Sequence, residues 1–317
     1  MENIIFGPVP SRRLGKSLGI NNIPPKICSY GCVYCQIGVS VRIQSQRQKF
    51  YDPQIIINQA QKAIEQLKKE QEKIDYISIV PDGEPLLDLN LGKLIIGLKQ
   101  FGYPVAVISN ATLLWDSQAS IELAQADLVS LKIDAITEQV WRRINKPHKD
   151  LSLDKILDGI SSFSAKYQGT LYTETMLVKN RNDDQKEIQL IAEFIGQLSP
   201  HIAFISIPTR PPAENIKPAE EQIINYAYQQ FKKKLENVEL LTGTDPGEFG
   251  ASKDPLQEIL AITSVHPMSF EALDKFLIKH NIKWIRIQEM IDNNQLIETK
   301  FNGKKFYIRK IKKNKQL

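Results

Sequence analysis

The chain has 317 residues, with 41 Lys and Arg against 36 Asp and Glu, 42% hydrophobic and 24% charged residues. That composition excludes whole-chain disorder, and no apolar run reaches the roughly 18–20 residues that span a membrane. The net charge of +5 is uneven: residues 253–317 hold 13 basic and 7 acidic side chains, and the remainder hold 28 and 29. An anionic partner for the tail and a solvated Lys-rich end both fit that asymmetry. The first residues lack the charged start, apolar middle and small-residue cleavage site of a secretory signal, so a cytoplasmic location is expected.

The chain opens on a stretch dense in turn residues and basic, Gly7-Pro8-Val9-Pro10-Ser11-Arg12-Arg13-Leu14-Gly15. Arg12 and Arg13 suit an anion there, or plain exposure to solvent. A strand is expected at 17–20. The three cysteines of the chain, Cys28, Cys32 and Cys35, then fall within eight residues at C-x3-C-x2-C spacing. An odd number packed this closely is not a disulfide framework. Thiolates are soft ligands for zinc or iron–sulfur clusters, and three alone do not complete a structural zinc site. The nearest histidine in sequence is His148. Three thiolates fit a 4Fe–4S cluster whose fourth iron stays open; three small packed core residues are the alternative.

Asp52 as cap and Pro53 at the first position start a helix, with Ile56, Ile57, Ala60, Ala63, Ile64 and Leu67 at helical spacing. The β-rich run 75–80 ends in Pro81-Asp82-Gly83-Glu84-Pro85, where glycine permits a sharp turn or a close approach. A helix at 91–100 leads to a strand at 105–109 and the polar segment Ser109-Asn110-Ala111-Thr112. After a helix at 116–124, the strand at 128–133 places Ser130, Lys132 and Asp134 on one face. Polar groups on a central strand need partners: a polar ligand, or for Lys132 and Asp134 a plain ion pair. Helices are expected at 137–145, 152–168, 183–198 and 218–235. The strand at 171–178 sets Thr173 and Thr175 on one face and Glu174 on the other, with the inward face undecided. Strands at 202–207 and 238–241 follow. Between these two, Pro208-Thr209-Arg210-Pro211-Pro212 offers a guanidinium for a carboxylate or phosphate, or an ordinary surface loop. Six or seven strands about 30 residues apart, alternating with helices, predict a parallel sheet with right-handed crossovers, open or barrel-like. Sites in such sheets gather at the carboxyl ends of strands.

The stretch 243–253 reads as a linker. A helix follows at 254–264 (Leu256, Ile259, Leu260), then one capped by Ser269 with Leu273, Phe276 and Leu277 on one side. A third at 282–293 carries Ile287, Met290 and Ile291. Strands at 296–300 and 304–309 flank Asn302-Gly303, a strong hairpin signal. Three short helices and a basic hairpin resemble a winged helix-turn-helix, in which the third helix and the wing usually touch nucleic acid. Here those carry Lys283, Trp284 and Arg286, and Lys300, Lys304, Lys305 and Arg309. A unit that only packs on the rest or binds protein is the alternative. His148, His201, His266 and His280 match no metal spacing and receive no role.

The cysteine spacing, with Tyr34 before the last cysteine, resembles the signature of the radical S-adenosylmethionine (radical SAM) superfamily. The resemblance implies an α/β fold with a partial (β/α)6 barrel. It implies one 4Fe–4S cluster on Cys28, Cys32 and Cys35, with S-adenosyl-L-methionine on the open iron. It further implies cleavage of that cofactor to a 5′-deoxyadenosyl radical, driven by an external reductant of flavodoxin or ferredoxin type. Gly83 and Glu84 match the superfamily's segment for the cofactor's amino group, with Asp82 in place of the motif's first glycine. Ser109 and Asn110 match the segment near its carboxylate and ribose, and Lys132 and Asp134 fall on the cofactor face. Residues 7–15 resemble the opening of an uncharacterised bacterial and archaeal family loosely grouped with tRNA wyosine-synthesising enzymes. With no cysteine left for a second cluster, wyosine chemistry itself is not expected. The resulting organisation is a radical SAM core at 1–245, a linker at 246–253, a winged helix-turn-helix-like domain at 254–311 and a basic tail at 312–317. The expected function is a radical SAM enzyme with RNA as a candidate substrate. A protein, peptide or metabolite substrate is one alternative, and a non-enzymatic iron–sulfur sensor on DNA is another.

Overall fold

The computed structural model describes residues 4–40, 42–243, 249–251 and 254–310. Strands β1 (Ile5–Ser11) and β2 (Gly15–Ile20) precede a minimal parallel pair, β3 (Ile27–Cys28) and β4 (Arg42–Ile43). Five βα units follow: α1 (Pro53–Lys69), β5 (Tyr76–Ile79), α2 (Leu91–Lys99), β6 (Val105–Ser109), α3 (Ser117–Leu123), β7 (Leu128–Lys132), α4 (Glu138–Asn145), α5 (Leu153–Ser164), β8 (Thr170–Met176), α6 (Gln185–Leu198), β9 (Ile202–Ser206) and α7 (Glu221–Lys232), closed by β10 (Val238–Leu241). One sheet has the order β1-β2-β5-β6-β7-β8-β9-β10. Its pairs from β2 to β10 are parallel and β1 pairs antiparallel with β2. The sheet is therefore mixed and open, with β1 and β10 as its edges.

The helices begin where side chains can cap them. Asp52, Asp116 and Asp184 accept the first free N–H groups of α1, α3 and α6. In α1, Ile56, Ala60, Ala63, Ile64 and Leu67 are buried as their spacing requires, while Ile57 is only half-buried.

The opening segment departs from its turn-like composition: residues 7–11 belong to β1. Two prolines are tolerated because β1 is an edge strand, where missing N–H groups break no ladder. The register slips between Phe6 and Val9. Its outward backbone is taken up by the C-terminal part of the chain: the Gly7 N–H donates to Glu258 Oε1 at 2.6 Å, and the Gly250 N–H donates to the Pro8 carbonyl at 2.8 Å. Covering an exposed edge in this way removes a site of unwanted pairing.

Residues 254–310 add α8 (Pro255–Val265), β11 (Met268–Ser269), α9 (Phe270–Lys279), α10 (Ile285–Asp292), β12 (Leu296–Phe301) and β13 (Lys304–Arg309), with sheet order β11-β13-β12. Asp254 and Ser269 cap α8 and α9. Asn302 and Gly303 both take positive φ, as a two-residue hairpin turn needs. Every residue of α8 from Glu258 to Val265 is buried, whereas its sequence pattern marked one side alone. Phe6 and Val9 of β1 share a core with Phe249, Ile259, Ile262, Phe276 and Tyr307. The N-terminal edge strand thus completes the C-terminal core. Of the expected linker, 249–251 are described, with Phe249 buried; 246–248, 252 and 253 lie outside the described residues, as does the basic tail 312–317. Among the described residues, no helix is long and apolar enough to cross a membrane.

Candidate active site

A cavity of about 310 Å³ gathers side chains from the strands of the sheet, from the cysteine loop and from the end of α8. Cys28, Cys32 and Cys35 are free thiols and all line it. Backbone bonds fix their loop: the Cys35 N–H donates to the Cys32 carbonyl, and the Val33 N–H donates to the Ile144 carbonyl of α4. Trp141 Nε1 donates to Tyr30 Oη at 2.7 Å and ties the loop further to α4.

Burial pushes all three thiols above the usual range, Cys32 to about 12, and neighbouring thiols and carboxylates add to the shift. Neutral thiols held together here ionise readily only when a cationic partner offsets that cost. Side-chain amides are already aimed at the sulfurs: Asn110 Nδ2 donates to Cys28 Sγ at 3.6 Å and Asn145 Nδ2 to Cys32 Sγ at 3.4 Å. Such bonds tune cluster sulfurs in iron–sulfur proteins. Among the described residues, no three His, Cys, Asp or Glu side chains converge on a single metal ion; a four-iron cluster takes a wider set of thiolates. The donor set, free and facing one cavity, fits such a cluster.

Beside the thiols lies a second bonded group. Glu84 is buried and accepts from Ser109 Oγ at 2.6 Å, the Asn110 N–H at 2.7 Å and the Leu86 N–H at 3.0 Å. Burial pushes its carboxyl up to about 7, against the pull of those bonds. Gly83, Glu84, Ser109 and Asn110 all line the cavity, so the structure brings these expected residues together. A Cβ on Gly83 would stand 1.7 Å from the Ile27 carbonyl oxygen. The missing side chain admits protein backbone just before Cys28.

The expected polar face of β7 divides. Lys132 lines the cavity, with Nζ 3.2 Å from Glu174 Oε1 and 3.6 Å from Asp134 Oδ1. Ser130 is buried, and its hydroxyl finds no hydrogen-bond partner. Asp134 lies behind Lys132 and is bonded to protein. Its carboxylate accepts from the Met176 N–H at 2.8 Å, from Asn145 Nδ2 at 2.9 Å and from the Tyr34 hydroxyl. On β8 the question of faces is settled by register: Lys132 pairs with Glu174, and Glu174 enters the cavity. Glu174 also accepts from Ser206 Oγ at 3.0 Å and pairs with Arg13.

Three more groups reach the cavity: Arg12, Arg210 and His266. Arg210 is no ordinary surface residue; its guanidinium donates to Gln36 Oε1 at 2.6 Å and lies 3.1 Å from His266 Nε2. His266 received no role from the sequence, since a His-Pro turn carries no sign of what it will face. Burial first, then the nearby arginines, hold it neutral.

The radical SAM superfamily profile matches residues 22–195 of the chain. The chain belongs to the radical SAM superfamily. It is 43% identical to a UPF0026 protein of Methanocaldococcus jannaschii over 98% of this chain and 97% of that one. It is 30% identical to a UPF0026 protein of Helicobacter pylori over 96% of this chain and 97% of that one. Among solved structures, TYW1 with a bound lysine–pyruvate adduct superposes with a TM-score of 0.53, covering 69% of this chain and 74% of that one. At 17% identity that likeness shows the fold. As a radical SAM enzyme, the chain has a 4Fe–4S cluster and S-adenosylmethionine as cofactors and depends on an external electron donor.

Proposed function

We propose that Cys28, Cys32 and Cys35 hold the cluster, that Gly83 and Glu84 take the amino group of S-adenosylmethionine, and that Ser109 and Asn110 border its carboxylate and ribose. Lys132, and Asp134 through Lys132, complete the cofactor face of a partial (β/α)6 barrel. A reduced cluster held by these thiols would supply the one electron for reductive cleavage of S-adenosylmethionine to methionine and a 5′-deoxyadenosyl radical able to take hydrogen from the substrate. The observation that carries this reading is that three free thiols and the bonded set Glu84, Ser109 and Asn110 line one cavity, with Asn110 joining the two groups.

The residues divide the work. Glu84 is buried and prearranged by its three donors, so an incoming ammonium meets a fixed acceptor. Asn110 and Asn145 direct amides at sulfur, and Lys132 lies 5.0 Å from the Tyr34 ring centroid. Replacing Glu84 by Gln is expected to weaken S-adenosylmethionine binding about 10–100-fold, the worth of a charge-assisted hydrogen bond. Equilibrium dialysis with the labelled cofactor reads this directly, and unchanged affinity would remove Glu84 from the site.

RNA is the substrate reading we favour, with residues 254–311 as a winged helix-turn-helix domain joined by a linker at 246–253. The order helix, strand, helix, helix, hairpin supports that architecture. Lys283, Lys300, Lys304 and Lys305 are exposed on α10's approach and on the hairpin. Trp284 is a packing residue, stacked on Phe270 at 4.9 Å and donating to Asp274. Lys300→Gln/Lys304→Gln/Lys305→Gln in the full chain should reduce ultraviolet crosslinking to total RNA several-fold. The slope of its salt dependence should flatten by about one unit for each lysine–phosphate pair removed. Crosslinking that is indifferent to all three would sink the RNA reading and favour a protein, peptide or metabolite substrate.

A further inference from the structure

Cys35 opens a tight turn. The Gly38 N–H donates to the Cys35 carbonyl at 3.1 Å, and Gly38 takes a φ of 87° just past the bend. The same turn presents the Ile37 and Gly38 N–H groups to the Cys35 sulfur as hydrogen-bond donors. What holds the turn is the side chain at its second position, Gln36. A primary amide is donor and acceptor at once, and Gln36 uses both ends on distant parts of the chain. Its Nε2 donates to the Val265 carbonyl at 2.9 Å, 229 residues away. Its Oε1 accepts from Arg210 Nη1 at 2.6 Å, 174 residues away.

Val265 is the last residue of α8. A carbonyl there has no partner within its helix, so the cysteine loop caps α8 from outside. That helix end is a firm anchor. Every residue from Glu258 to Val265 is buried, Glu258 accepts from the Gly7 N–H of β1 at 2.6 Å, and the His266 ring lies 5.2 Å from that of Phe249. Arg210, in the loop after β9, lies 3.1 Å from His266 Nε2. One side chain next to Cys35 therefore joins the cysteine loop, the β9 loop and the C-terminal part. Gln36, Arg210, Val265 and His266 all line the cavity.

Hydrogen bonds to sulfur help to set the reduction potential of an iron–sulfur cluster, and groups that orient a ligand matter nearly as much as the ligand. Cys28 and Cys32 receive side-chain amides from Asn110 and Asn145. Cys35 is served by backbone donors instead, which a side chain steers only by fixing the turn that carries them. We infer that Gln36 is a positioning residue: it fixes the turn that aims two N–H groups at the Cys35 sulfur, and it takes its own position from the end of α8, so that the C-terminal part tunes the cluster. This rests on the reading above in taking Cys35 as a cluster ligand.

The test uses the full chain and Gln36→Met, which keeps the length of the side chain and removes both of its bonds. In the metal-free protein, hydrogen exchange read by mass spectrometry should quicken several-fold in peptides covering 35–38 and the last turn of α8, with exchange elsewhere near the parent's. After anaerobic reconstitution, potentiometry followed by electron paramagnetic resonance should place the midpoint potential of the cluster below the parent's. Poorly aimed N–H donors give less support to the added negative charge of the reduced state, and methionine still covers the loop, so water does not take their place. Gln46→Met, the same change at an exposed position later in the loop, should match the parent in both measurements. Gln36→Glu keeps the acceptor for Arg210 and sets an oxygen against the Val265 carbonyl. It should also quicken exchange at the end of α8, and it carries the test if Gln36→Met folds poorly. An unchanged or more positive potential in Gln36→Met overturns the inference, as does parent-like exchange at the end of α8 in both variants. The two readings are told apart: a parent chain that takes up no cluster defeats the reading of the cysteines, whereas a parent cluster whose potential Gln36→Met leaves unchanged defeats this inference alone.

Discussion

Single replacement of Cys28, Cys32 or Cys35 by alanine is expected to abolish the iron–sulfur charge-transfer absorption and 5′-deoxyadenosine formation while leaving the metal-free fold intact. The three thiols occupy one short loop, and the chain holds no fourth cysteine to replace any of them. Removing a ligand should exceed the about 10–100-fold drop in metal affinity that follows removal of a supporting hydrogen bond. Stability should respond little. Each sulfur is half-buried and receives at most weak amide donors, at 3.4–3.6 Å. Trimming one to alanine removes a small side chain and leaves the backbone bonds of Cys35, Val33 and Gly38 in place. Thermal melting of the metal-free proteins therefore separates a ligand from a packing residue. A variant that loses its melting transition along with its iron would identify that cysteine as a core residue instead.

Replacing Asp134 by alanine should have the opposite signature, a large loss of stability. Its carboxylate is buried and serves the Met176 N–H, Asn145 Nδ2 and Tyr34, with Lys132 3.6 Å away. Asn182 Nδ2 donates to its carbonyl at 2.8 Å. Tyr34, Asn145, Lys132 and Met176 belong to the cysteine loop, α4, β7 and β8, so one carboxylate joins four parts of the site. Removing it strands several buried donors and leaves Lys132 with Glu174 as its carboxylate partner, a loss on the order of 3–5 kcal/mol. Thermal melting should fall by on the order of 10 °C. Cluster incorporation should fall with it, since Asn145 and Tyr34 flank the thiols. Lys132→Met keeps all three uncharged donors paired to Asp134 and should melt much nearer the parent. If Asp134→Ala melted like the parent, Asp134 would be no such hub.

Much of this was written in residue pattern. The alternation of helix and strand signals led to the parallel sheet because each βα unit repeats its own local spacing. The cysteine loop was legible because its chemistry is local too. What escaped depends on distant partners. The β1 segment carries two prolines and a glycine, which read as turns; it is a strand because β2 pairs with it and because Glu258, 251 residues away, accepts from Gly7. Period-two alternation separated Glu174 from Thr173 and Thr175 but could not choose the inner face, which the register with Lys132 decides. Arg210 and His266 are 56 residues apart and meet only because α8 is packed along β1.

The most direct test of the account is anaerobic reconstitution with iron and sulfide, followed by reduction in the presence of S-adenosylmethionine and assay of 5′-deoxyadenosine, beside the variant with all three cysteines replaced by alanine. The account predicts a cluster and 5′-deoxyadenosine from the parent chain and neither from the variant. A stable cluster in the parent that forms no 5′-deoxyadenosine, even with total RNA or cell extract added, would contradict it and point to an iron–sulfur sensor.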